Sequence, residues 1–74
     1  MSPRFITLAD VAEELSIKAD QAYALVRSGE LPAIQVGGRG QWRVEVAELE
    51  RYIERKYAEA AAARQEKSAR QRQP

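Results

Sequence analysis

Between Leu15 and Pro32 the chain reads L-S-I-K-A-D-Q-A-Y-A-L-V-R-S-G-E-L-P, and this stretch leaves few folds open. Ala22, Leu25 and Val26 fall on one side of a helix starting near Ala19, at the spacing that buries a single stripe. Asp20, Ala24 and Arg27 lie on the opposite side, with Gln21 and Tyr23 flanking them. Gly29 stands where a helix end wants a residue tolerant of the left-handed conformation, and Pro32 prevents continuation. The spacing therefore predicts a short helix, stopped hard, with one face buried and the other left to present side chains.

A second short helix precedes it. Thr7 can cap, and Asp10 three residues on is a short-armed partner for a capping box at the positive helix end. Leu8, Val11, Ala12 and Leu15 then repeat at i, i+3, i+4 and i+7, with Glu13 and Glu14 on the wet side. Ser16-Ile17-Lys18 leaves room only for a tight turn, with Ile17 pinned inward between the helices. Two short helices joined in this way describe either a helix-turn-helix or an ordinary αα-hairpin packing on a partner.

The following segment favours the first. Ala33-Ile34-Gln35-Val36 and Gln41-Trp42-Arg43-Val44 both alternate, around Gly37-Gly38-Arg39-Gly40, and so predict a β-hairpin. Ile34 and Val36 are expected on one face, turned to the core with Trp42 and Val44, while Gln35, Gln41 and Arg43 are expected on the wet faces. The glycines let the tip approach another surface closely, with Arg39 at its centre. A nucleotide-binding loop is a poor alternative, because the Lys-Ser/Thr of a P-loop is missing and a strand follows rather than a helix.

A last helix is expected from about Val46, with Val46, Leu49, Ile53 and Tyr57 on its buried stripe and Tyr52 beside it. Beyond Tyr57 the sequence A-E-A-A-A-A-R-Q-E-K-S-A-R-Q-R-Q-P is rich in helix formers but keeps no heptad seam. It is either a solvated, fraying helix end or a basic arm for phosphates. The division expected is a flexible N-terminus over 1–4, one folded domain over 5–57, and a helical extension with a basic tail over 58–74.

Composition removes other classes. Seventy-four residues allow one small domain, and the absence of Cys and His leaves no disulfide, no usual metal ligand and no Ser/His or Cys/His nucleophile arrangement. Glu13 and Glu14 are adjacent, so they diverge around a helix instead of converging on a substrate. No catalytic residue, metal site or cofactor is expected. With no membrane-length apolar run and no apolar core after M-S-P-R-F, the expectation is a cytoplasmic chain. Net charge is only +1, but it is segregated. Leu31 to Val44 holds Arg39 and Arg43 and no acid, whereas Asp10, Glu13, Glu14, Glu45, Glu48, Glu50 and Glu54 gather in the first and last helices.

T-L-A-D-V-A-E-E-L-S-I, A-Y-A-L-V-R-S-G-E-L-P-A-I-Q-V-G, Q-W-R-V and E-L-E-R-Y-I, in this order over Phe5 to Tyr57, resemble the small excisionase-type, MerR-like helix-turn-helix domains of bacteria and their phages. The resemblance implies a winged helix-turn-helix, mainly α with a small β-hairpin in the order α-α-β-β-α. It implies double-stranded DNA as partner, in the nucleoid, with the second helix in the major groove and the wing on adjacent backbone or minor groove. Family members serve as recombination directionality factors or small transcription regulators, often on repeated sites.

On this footing Gln21, Asp20 and Ala24 are expected to face bases, Gln21 pairing with adenine and Asp20 accepting from cytosine. Thr7, Lys18, Tyr23, Arg27, Arg39, Gln41 and Arg43 are expected on the backbone, with Arg39 alternatively in a narrow minor groove. The alternative readings are Tyr23 as cover for the core edge, Arg27 as a complement to the helix dipole, and Arg43 as a partner of Glu45 or Glu48. Lys18-Ala19-Asp20-Gln21 replaces the Ser-Arg-Ser-Thr-like run of many relatives, and so lacks a hydroxyl N-cap, a difference of about 1 kcal/mol. Ala24 stands where relatives often carry arginine or lysine. A monomer off DNA and a cooperative multimer on repeated sites are expected. The competing class is a protein-interaction module docking a recombinase or an RNA polymerase component.

Overall fold

Thr7 opens the first helix as the T-L-A-D signal requires. Its hydroxyl accepts from the Asp10 amide at 3.1 Å, and the Asp10 carboxylate accepts from the Thr7 amide at 3.2 Å. The computed structural model describes residues 3–71, with side chains as far as Glu66. Its elements are β1 (Phe5–Ile6), α1 (Leu8–Leu15), α2 (Ala19–Arg27), β2 (Ile34–Val36), β3 (Gln41–Glu45) and α3 (Val46–Gln71). The fold is the expected three helices with a small antiparallel wing.

Helix α1 buries Val11 and Ala12. It closes at Ser16, which adopts the left-handed conformation at φ 55°. The Ser16 amide donates to Glu13 O at 3.2 Å and the Ile17 amide to Ala12 O at 2.9 Å, a Schellman closure usually reserved for glycine. Ile17 packs against the core from the turn, as expected. Helix α2 buries Ala22 and Val26 and gives way to Gly29 at φ 84°. Leu31 then donates its amide to Leu25 O at 3.1 Å and drops fully into the core. With Val44, Leu49 and Tyr52 these residues form one cluster between the helix pair, the sheet and the start of α3.

The sheet differs from expectation in two respects. First, it has three strands, in the order β1-β3-β2, because Phe5 and Ile6 pair with Glu45 and Val44. Arg4 is held beside them, its carbonyl accepting from the Val46 amide at 2.8 Å and its Nε donating to Glu45 at 2.9 Å. Second, the wing register pairs Ile34 with Arg43, Gln35 with Trp42 and Val36 with Gln41. Ile34 and Val36 therefore share a face with Arg43 and Gln41, not with Trp42 and Val44, and are 49% and 40% exposed. The expectation of an inward Ile34 and Val36 is corrected by the turn, which joins Gly40 N to Gly37 O and fixes which residues stand opposite. Val44 is buried and Trp42 is half-buried against the core.

Helix α3 corrects a third expectation. Leu49 and Tyr52 are its buried residues, with Ile53 half-buried, whereas Tyr57 is 71% exposed. The body ends near Tyr52, so the stripe loses its partner before the sequence pattern does. The helix nevertheless continues to Gln71, 26 residues in all, or about 39 Å at the usual rise. From Glu54 to Glu66 every residue is exposed.

Candidate nucleic-acid interface

Burial of Ala22 and Val26 turns the opposite side of α2 to solvent, and Asp20, Ala24 and Arg27 lie there as the spacing required. Tyr23, on the flank, is 41% exposed. Arg27 Nη1 donates to Tyr23 Oη at 3.3 Å, and the guanidinium sits 5.8 Å from the ring centroid. The pair is an i, i+4 contact that stiffens both side chains. It leaves the phenolic proton free to donate outward, so Tyr23 and Arg27 offer two donors from one spot.

The N-terminus of α2 is closed by a device the sequence did not advertise. Lys18 stands at the cap position, and an ammonium has no acceptor to offer. The Gln21 carboxamide supplies the return arm instead, with Oε1 accepting from the Lys18 amide at 3.0 Å. Asp20 Oδ1 accepts from the Gln21 amide at 3.0 Å. In this arrangement Gln21 keeps Nε2 as a donor, but its oxygen is engaged, so the bidentate pair with adenine would first have to open the cap.

On the wing, Arg39 sits exposed in the turn between Gly37 and Gly40, whose φ angles of 78° and 62° shape it. Gln35 Nε2 donates to Gly40 O at 3.0 Å and ties the turn to β2. Arg43 forms no salt bridge with Glu45 or Glu48. Its Nη1 donates to Trp42 O at 2.7 Å and its Nη2 to Gln41 Oε1 at 3.0 Å, so Gln41 and Arg43 act as one unit on the outer face. Glu45 is bound to Arg4 and Glu48 to Arg51 instead.

The expected residues thus form three groups, at the start of α1 (Thr7), on α2 and on the wing. Among the described residues, no side chain of one group hydrogen-bonds a side chain of another. Two further residues escaped the sequence reading. Arg55 Nη2 donates to Glu30 O at 2.7 Å and Lys56 Nζ to Glu30 Oε1 at 2.9 Å, fastening the loop after α2 to α3. The Glu30 carboxylate, and then Glu59, raise the Lys56 pKa above its ordinary value. Partners so far apart in sequence leave no local signal.

Charge pairing separates the domain into two regions. Arg4, Arg51 and Lys56 are paired with carboxylates, but among the described residues Lys18, Arg27, Arg39 and Arg43 have none within 4.0 Å. The cations of α2 and the wing are available for an anion, while those at β1 and along α3 beside the body are largely used internally.

The comparison with family models agrees with this geometry, matching a helix-turn-helix domain over residues 5–57. The chain belongs to this excisionase-like helix-turn-helix family. A helix-turn-helix domain is a DNA-binding domain, and DNA is the partner that membership implies. Domains of the family are typically not enzymes. No curated protein and no solved structure matches the chain. Within the helix-turn-helix, α1 and α2 are the two helices and β2–β3 the wing. Among the described residues, no helix is long and apolar enough to cross a membrane.

Proposed function

We propose that this helix-turn-helix domain reads double-stranded DNA sequence-specifically, as a small transcription regulator or an excisionase-like recombination directionality factor. The observation that carries the reading is the set of unpaired cations on α2 and the wing, Lys18, Arg27, Arg39 and Arg43, beside an exposed helix face. Helix α2 enters the major groove, where Ala24 contacts a thymine methyl, Asp20 accepts from a cytosine amino group, and Gln21 donates from Nε2 while keeping its cap. Tyr23, Arg27 and Lys18 hold phosphates, and Thr7 adds its hydroxyl at the positive end of α1. Arg39 reaches the backbone or a narrow minor groove, with Gln41 and Arg43 behind it.

So few phosphate contacts make one copy a weak binder with marked salt dependence, and occupancy rises on neighbouring sites. Selection from random duplexes, first at low salt and then at higher salt, tests the reading. Enrichment of a short repeat, weakened by Asp20→Ala and Arg39→Ala, is the expected result. Salt-sensitive retention without enrichment refutes sequence reading. No retention at all transfers the function to protein docking.

A further inference from the structure

Apart from Asp20 on α2, acids outside the salt bridges gather between α1 and α3. Glu13 and Glu14 of α1 and Glu50 of α3 rim a cleft floored by Ile6, Leu49 and Ile53. All three carboxylates are exposed, and none is in a salt bridge among the described residues. Ile6 and Ile53 are only half-covered, so the cleft offers apolar contact as well as charge.

A run with a basic excess lies at the far end of α3. Past the body the helix reads A-E-A-A-A-A-R-Q-E-K-S-A-R-Q, where Arg64, Lys67 and Arg70 recur at every third position and outnumber Glu66 and Glu59, the latter paired with Lys56. The described side chains here are all exposed, and the alanines allow another surface to come close to the helix backbone. A lone helix of this length gains no tertiary packing, which is what ordinarily stabilises helices in proteins. It cannot reach the cleft of its own chain. Leu49 and Ile53 belong to the same unbroken helix, and Arg64 lies about 16 Å further along it than Ile53.

We propose that the basic, alanine-rich half of α3 of one copy seats in the acid-rimmed cleft between α1 and α3 of a second copy. The arm and the cleft are different surfaces, so the contact is head-to-tail and can repeat along a row of copies. It does not require DNA. A single helical arm covers less area than a standard stable interface, so the contact is weak in solution and gains when neighbouring sites hold two copies together. Cooperation on adjacent sites then follows from the fold of each copy without a coiled-coil partner.

The full chain carries no cysteine, so Ala61→Cys provides a unique position for a nitroxide. Spin-labelled chain mixed with ¹⁵N-labelled chain at low salt, without DNA, is expected to broaden the amides around Glu13, Glu14 and Glu50. Salt, or Glu13→Lys with Glu14→Lys, should abolish the broadening while the rest of the amide spectrum stays in place. Arg64→Glu with Lys67→Glu should abolish it equally, and all four changes in one chain should restore it. On duplexes with two sites against one, each reversal alone should remove a cooperative gain of about tenfold, equivalent to about 1.4 kcal/mol, and the combination should return it. Broadening confined to the partner's own arm means helix pairing, and broadening on α2 means docking on the groove face. Either result, or none, overturns the proposal, whatever the DNA affinity turns out to be.

Discussion

Replacing Arg39 by alanine should lower the salt dependence of DNA binding by a fixed amount. Lys18, Arg27, Arg39 and Arg43 are the cations of α2 and the wing with no carboxylate partner among the described residues. If each neutralises one phosphate, log K falls with log salt at a slope of about −3.6, since each contact contributes about −0.9. Between 50 and 200 mM salt that corresponds to a loss of roughly 150-fold in affinity. Arg39→Ala should reduce the slope to about −2.7 and the loss to roughly 40-fold. The substitution leaves the fold alone, because the Arg39 side chain is exposed and the turn is made by Gly37 and Gly40. Anisotropy titrations of a labelled duplex at graded KCl give both slopes. Arg51→Ala is the control, because that guanidinium is already paired with Glu48 on α3. An unchanged slope for Arg39→Ala, or an equal drop for Arg51→Ala, would refute the assignment of the wing to DNA.

Three further outcomes concern the scaffold. Leu31→Ala empties a fully buried site and should destabilise by about 2–5 kcal/mol, enough to leave a small domain largely unfolded in a urea titration. Ser16→Gly relieves a left-handed serine at φ 55°, and should stabilise by about 1 kcal/mol, raising Tm by roughly 4–8 °C. Lys56 is held above its ordinary 10.5 by Glu30 and then Glu59. Its contribution is therefore full below that value and lost as the pH rises through the higher folded value. Glu30→Gln should flatten the alkaline limb of stability against pH relative to the parent chain.

What could be read from the sequence was local. The T-L-A-D cap, the stripes of α1 and α2, the inward Ile17 and the stop at Gly29 each depend on residues within one or two turns, and all hold in the structure. The exposed face of α2 follows from the same periodicity. Strand alternation was equally visible, but which face met the core was not, because that depends on the register set by the turn. The helix pattern places Tyr57 on the buried stripe although it is exposed, because such a pattern carries no mark of where the helix's neighbours end. The Gln21 cap and the Glu30 link to Arg55 and Lys56 depend on rotamers or on distant pairing. A cap position without an acceptor was the available hint of the first, since a nearby carboxamide can take over. The two-residue β1 was too short to show alternation at all.

That short strand turns the helix-turn-helix domain into a closed ring. Its ladder and the bonds from Arg4 to Glu45 and Val46 join the start of the chain to the junction of wing and last helix, with both short helices and the hairpin inside the loop. Closing a loop of some forty residues carries an entropic penalty of about 3 kcal/mol beyond a constant. The helix pair shares its core with the sheet that closes the ring. Its Val11 and Ala22 meet Val44 in a single cluster, so knitting the ring and filling the core are one event. Strain applied at either side of the Arg4–Val46 seam, by a fused tag or a pulling force, is thereby felt at α2 as loss of the whole domain rather than as fraying of its edge.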